Sequence, residues 1–343
     1  MTDEDLLLNI PGLEYGSGVI GVCDVCGKRQ AVIVLSKERF KLCVLDFLNK
    51  SWTKGSPKPG APLPLYRSER IWFPTDATKE GKAPAIVLTP TKLVRHPTVL
   101  VCPDIYGLTT ALLDGAIRFA REGFEVLLPD VGKTSSVGPP DHLALRLGVR
   151  TGGGVPLGSP RVGKMVRLYT DALAYLRSRE MVDTEKMALF GVSYGASLAL
   201  ALATHDPKLN ALLLAYPMPV RPAEDLRLLN APTILVLAGS DPNAARVRAQ
   251  FEPLSRSGSI AVEILEIPGV HHHFFARDKS AYDLPSAEAG WSALLEFAKA
   301  RMMPPPPKPP APPKSMTAGA SPSAASAVGA PPTNPSLISS APT

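Results

Sequence analysis

A chain of 343 residues, 45% apolar and 20% charged, is long enough for one sizeable core with smaller modules around it, and its composition excludes a mainly disordered protein. The net charge of +6 is modest, and no Lys/Arg cluster is interleaved with aromatics, which argues against a nucleic-acid partner. No run of about 18 apolar residues occurs, so no membrane span is expected; the acidic start Met1-Thr-Asp-Glu-Asp5 is unlike a signal peptide, so the expected location is cytoplasmic.

Three of the four cysteines fall near the N-terminus. Cys23-Asp-Val-Cys26-Gly is followed by the alternating stretch Gln30–Leu35, a polar turn at Ser36–Arg39, and Phe40-Lys-Leu-Cys43-Val-Leu-Asp46. A Cys-x-x-Cys knuckle, a hairpin and a second knuckle of the same spacing resemble a zinc ribbon. Zinc takes four ligands in a tetrahedron and favours thiolate, so Cys23, Cys26, Cys43 and Asp46 are the expected ligands of a structural zinc. No histidine precedes His96, which leaves Asp46 as the protein ligand for the fourth corner. The other reading, a redox dithiol, lacks the βαβ surroundings such a pair needs. Residues 1–52 are thus a small β module, and the Pro/Gly-rich residues 53–67 a linker.

Next, a hairpin is expected between Glu69–Phe73 and Ala85–Leu88, with Gly81 in its turn. From residue 98 strands and helices alternate. Strands are expected at Thr98–Cys102, Phe124–Leu128, Leu209–Ala215, Thr233–Ala238 and Ala261–Glu266. Helices are expected at Thr109–Glu122, Lys164–Arg179, Ala244–Ser257 and Ser286–Ala300. Residues 130–163, rich in Gly and Pro, form a long excursion. This alternation predicts a mostly parallel, doubly wound sheet covered on both faces, over residues 68–303. Residues 304–343 are dominated by Pro, Ala and Ser without an aromatic, and are expected to be a disordered tail.

The chemistry centres on Met187-Ala-Leu-Phe-Gly-Val-Ser193-Tyr-Gly195, which runs into an Ala/Leu stretch ending at Ala203. An apolar strand, a Gly-x-Ser-x-Gly turn and a buried helix make a nucleophile elbow, with the serine hydroxyl at the C-terminal edge of the sheet. A serine needs a base, and the base an orienting acid. Downstream, the strand ending at Ala238 leads into Gly239-Ser-Asp241, and the next strand into Pro268-Gly-Val-His271-His272-His273-Phe274. Serine, aspartate and histidine therefore all follow strand ends, in the order this fold uses. The developing oxyanion needs two backbone donors. One is the Tyr194 amide; the other comes from the loop Pro103–Gly107, with Ile105 the choice within it.

Val99-Leu-Val-Cys-Pro-Asp104-Ile-Tyr-Gly-Leu108, Phe119-Ala-Arg-Glu-Gly-Phe-Glu-Val-Leu-Leu-Pro-Asp130, the elbow, Gly239-Ser-Asp241 and the histidine loop resemble the dienelactone hydrolase family of α/β-hydrolases over roughly residues 68–301. The resemblance implies hydrolysis of a small-molecule carboxylic ester or lactone with no catalytic cofactor. The family's named members often use cysteine where this chain has Ser193, and a second glycine where it has Ala196. The resemblance also carries over Asp104 as a carboxylate near the nucleophile. Two registers of the histidine loop stay open. Matching Pro-Gly-x-x-His-x-Phe selects His272 and needs no insertion after the preceding strand. Matching His-x-Phe-Ala-Arg selects His273 and makes Arg277 a ligand for a substrate carboxylate. A second such arginine would come from Arg146, Arg150 or Arg161. The competing readings are a peptidase or acyltransferase on the same scaffold, and a non-catalytic interaction protein whose N-terminal module and Pro-rich tail offer docking surfaces to a protein partner.

Overall fold

The computed structural model describes residues 65–92, 94–104, 107–130, 154–206 and 208–303, together with the backbone of five short strands between residues 13 and 42. These five are β1 (Leu13–Tyr15), β2 (Gly21–Val22), β3 (Gln30–Ala31), β4 (Ile33–Leu35) and β5 (Phe40–Leu42). β4 and β5 pair antiparallel with Leu35 opposite Phe40; β1 adds to β4, and β2 pairs with β3. The ligand candidates Cys23, Cys26, Cys43 and Asp46, the oxyanion candidate Ile105 and the tail 304–343 lie outside the described residues.

The rest of the chain runs β6 (Tyr66–Pro74), β7 (Lys82–Pro90), β8 (His96–Cys102), α1 (Thr110–Arg121), β9 (Glu125–Pro129), β10 (Val155–Pro156), α2 (Pro160–Arg177), β11 (Val182–Val192), α3 (Ser193–Ala203), β12 (Ala211–Ala215), β13 (Val220–Arg221), a 3₁₀ turn over Ala223–Leu228, β14 (Thr233–Ala238), α4 (Ala244–Ser257), β15 (Val262–Ile267) and α5 (Leu284–Met302). Eight of these strands form one sheet in the order β15-β14-β12-β11-β8-β9-β7-β6. The run from β15 to β9 is parallel, whereas β7 and β6 form the antiparallel hairpin at one end.

Parallel strands covered on both faces have no polar side, and β12 (Ala-Leu-Leu-Leu-Ala) is buried at every position. Alternate residues feed two cores. Val99, Val101, Phe190 and Leu213 pack on one face with Phe119 of α1 and Trp291 of α5. Leu100, Cys102, Leu189 and Leu212 pack on the other with Tyr169 of α2, Leu198 of α3 and Phe251 of α4. α3 is buried on all sides, which is why its sequence is apolar without a stripe. The two sheet borders behave differently: β15 alternates Val and Ile with exposed Glu263 and Glu266, and β6 carries Arg67, Glu69 and Arg70.

Helix ends follow local chemistry. α2 begins four residues earlier than its periodicity suggests, because Ser159 caps it by accepting from the Val162 amide at 3.3 Å and Pro160 suits the first turn. α5 likewise begins at Leu284, capped by Asp283 accepting from Ser286 N–H at 3.0 Å. β10 and β13 pair parallel outside the main sheet; two residues each are too short to show a period in sequence. Among the described residues no helix is long and apolar enough to cross a membrane.

Candidate active site

Because β11, β14 and β15 run parallel, residues just past their C-terminal ends share one edge of the sheet. Ser193 follows β11 directly, Asp241 lies three residues past β14, and His272 five past β15. Two backbone bonds tie the last two loops together, Gly239 N–H to Ile267 carbonyl at 2.8 Å and Ser240 N–H to Val270 carbonyl at 2.9 Å.

Ser193 has φ +53° and is 3% exposed. A non-glycine residue in the left-handed region is strained, and such strain concentrates at functional turns. The turn is tight enough to dictate both glycines. A Cβ on Gly191 would sit 2.6 Å from the Gly195 carbonyl oxygen and 2.7 Å from the Ala196 nitrogen; one on Gly195 would run into the Cys102 and Pro103 carbonyls. Gly195 therefore lets the loop after β8 lie directly against the elbow. Gly191→Ala is expected to lower the unfolding free energy by about 1–3 kcal/mol through this overlap, seen as an earlier midpoint in urea.

Three side chains then meet. His272 Nε2 lies 2.8 Å from Ser193 Oγ, and His272 Nδ1 is hydrogen-bonded to Asp241 Oδ2. A carboxylate only accepts, so Nδ1 carries the proton and donates to Asp241, which leaves Nε2 to accept from the serine hydroxyl. The second carboxylate oxygen of Asp241 accepts from the Asn243 amide at 2.8 Å. Burial would raise the Asp241 carboxyl, but the hydrogen bond and charge of His272 and the bonds from Asn243 outweigh it and hold the group below its ordinary range. Asp241 is thus ionised at neutral pH.

The histidine loop is anchored by Phe274 and Phe275, both 0% exposed. Phe275 stacks on Trp291 with centroids 4.5 Å apart. Here His272 faces the serine, His271 is exposed, and His273, with φ +70°, lays its ring against those of His272 and Tyr216.

The other sequence candidates distribute as follows. The Tyr194 amide heads α3, one of the free N–H groups of its first turn. Asp104 is buried, and its carbonyl accepts from Gly107 N–H at 2.9 Å. Burial pushes the Tyr169 and Tyr216 phenols well above their usual range, and the Asp104 charge adds to that. Arg277 is held by Asp114 of α1, with Nε 2.6 Å from Oδ2. Arg161 stands in the first turn of α2, where its charge partly offsets the burial that raises the Tyr194 phenol. Arg146 and Arg150 lie outside the described residues. Sequence reading passed over Tyr216. Its position directly after a buried parallel strand was the available signal, since that places it at the same edge as the serine.

A mostly parallel sheet with covered faces, a strained serine elbow, and an acid and a histidine at neighbouring strand ends define an α/β-hydrolase. The dienelactone hydrolase family profile matches residues 83–302, and the chain belongs to that family. It is a hydrolase of the ester and lactone class. A Yersinia pestis protein that takes its name from carboxymethylenebutenolidase is 25% identical over 217 residues, covering 59% of this chain and 77% of its own. A Bradyrhizobium protein named for 2-oxo-3-(5-oxofuran-2-ylidene)propanoate lactonase is 25% identical over 229 residues, covering 63% of this chain and 88% of its own. A Klebsiella pneumoniae crystal structure named for dienelactone hydrolase shares the fold, with a TM-score of 0.56 and 20% identity over 67% of this chain and 98% of that one.

Proposed function

We propose that the chain cleaves a small carboxylic ester or lactone through an acyl-enzyme on Ser193. The observation that carries this reading is the hydrogen-bonded series Ser193–His272–Asp241 at the elbow. Ser193 Oγ attacks the carbonyl carbon while its proton passes to His272 Nε2; Asp241 holds the imidazole and balances its charge. The Tyr194 amide, with Ile105 as the second donor, stabilises the tetrahedral oxyanion. As the intermediate collapses, the bond to the leaving oxygen breaks and His272 returns the proton to that oxygen. From a lactone the new hydroxyl stays tethered to the acyl group. Water, deprotonated by His272, then attacks the acyl-enzyme and releases the acid and Ser193. Asp104 and Arg277 are assigned to the surroundings of the bound substrate. A panel of activated esters and lactones, run against Ser193→Ala, tests this reading: turnover that survives the substitution would overturn it.

A separate proposal concerns residues 1–52. β2 ends at Val22 and β5 at Leu42, each one residue before the first cysteine of a knuckle. Cys23, Cys26, Cys43 and Asp46 would hold a structural zinc, away from the chemistry of Ser193. Elemental analysis of protein purified without chelator is expected to find about one zinc per chain, and Cys23→Ser is expected to lose more of it than Asp46→Ala, since thiolate is the stronger ligand. Metal-free protein would overturn it.

A further inference from the structure

β12 lies between β11 and β14 in the sheet. Ser193 follows β11 and Asp241 follows β14, so the imidazole that joins them must pass over the end of β12. The residue at that end is Tyr216. Its amide continues the ladder, donating to the Val236 carbonyl at 2.7 Å, but its φ is +36°, a left-handed value that bulky side chains rarely adopt. The backbone thus leaves the strand plane at the point where the histidine crosses. The Tyr216 ring stands edge-on to His272 with centroids 4.8 Å apart at 64°, and also meets His273, Phe274 and Phe275 at 5.6–5.9 Å. It is 1% exposed. Its hydroxyl is buried and has no hydrogen-bond partner among the described residues, so there the ring is held by packing.

We propose that Tyr216 is a positioning residue: its ring is the wall that holds the His272 imidazole in the orientation where Nδ1 meets Asp241 and Nε2 meets Ser193. The histidine loop follows the border strand of the sheet and crosses two strands to reach the serine. Hydrogen bonds fix the two ends of the imidazole, and rotation about the line between them is limited by what packs on its face. Tyr216 supplies such a contact from the middle strand, beside the neighbouring His273 ring at 4.3 Å. This inference rests on the serine-nucleophile reading above.

The test compares Tyr216→Phe with Tyr216→Asn. Phenylalanine keeps the ring and removes the hydroxyl; asparagine accepts the left-handed backbone and removes the ring. Tyr216→Asn is expected to lower kcat on a p-nitrophenyl ester by roughly 100-fold, the scale of a misplacement of about 1 Å. KM should change little, since Tyr216 acts through the His272 imidazole and not on the substrate itself. Tyr216→Phe is expected to retain wild-type kcat. An unimpaired Tyr216→Asn, or a Tyr216→Phe as slow as Tyr216→Asn, would overturn the proposal. Should Tyr216→Asn not fold, Tyr216→Gly takes its place, since glycine meets the backbone requirement without cost. If neither folds while Tyr216→Phe does, the ring serves packing alone and the proposal falls. Ser193→Ala in the same assay separates the two readings. An active Ser193→Ala removes the nucleophile itself, whereas an inactive Ser193→Ala beside an unimpaired Tyr216→Asn removes only the positioning role.

Discussion

Ser193→Ala is expected to reduce kcat on an activated ester by about 10⁶-fold, because the serine and its base act as one unit and the loss of either removes nearly all covalent catalysis. The fold should survive. Alanine removes a single oxygen, and that oxygen's bond runs to a histidine whose other nitrogen stays paired with Asp241. The strain at φ +53° is inherited rather than added, since alanine is no worse there than serine. A fluorophosphonate probe should label the parent chain and leave the variant unlabelled. Labelling that persists at Ser193→Ala would mean that another residue is the nucleophile.

His272→Ala should be as severe as the serine change, again about 10⁶-fold in kcat. His273→Ala should leave most of the activity in place. The two rings touch edge to face but reach different partners: His272 contacts Ser193 and Asp241, whereas His273, a left-handed residue, lies against Tyr216. Asp241→Asn should fall between them, at about 10⁴-fold, because an amide in place of the carboxylate leaves the site's shape intact but no longer holds the imidazole tautomer. Rates on one p-nitrophenyl ester for all three variants decide the matter. A dead His273→Ala with an active His272→Ala would shift the loop register by one and bring Arg277 forward as a substrate ligand.

The parts of this architecture legible in sequence were those with a strong local pattern. β12 and β14 are short apolar runs, and α4 ends at Gly258, which takes φ +65° just past its last turn. The elbow was legible because its two glycines are demanded by backbone contacts. The order of serine, acid and histidine after three strand ends came from the same reading. Other features depend on tertiary neighbours. No sequence period marks the β10–β13 pair, and nothing local tells that Tyr216 leaves β12 with a positive φ. The pairing of Arg277 with Asp114 joins residues far apart in the chain, so only the fold reveals it. Spacing offered both His272 and His273, whereas the fold brings His272 to Ser193, with Phe274 and Phe275 buried behind it.

The position of β15 carries one more consequence. It is a border strand, paired among the described residues with β14 and steadied by the ion pairs Glu263–Arg301 and Glu266–Arg248. Local opening concentrates at such margins, at a free energy below that of global unfolding. The strand that leads into the His272 loop is therefore expected to open more readily than the buried strand and helix that carry Ser193. Ser193 is thus tied to the interior of the sheet, and His272 to a loop that leaves its border. Loss of activity under mild stress then measures fraying at one edge rather than melting of the whole.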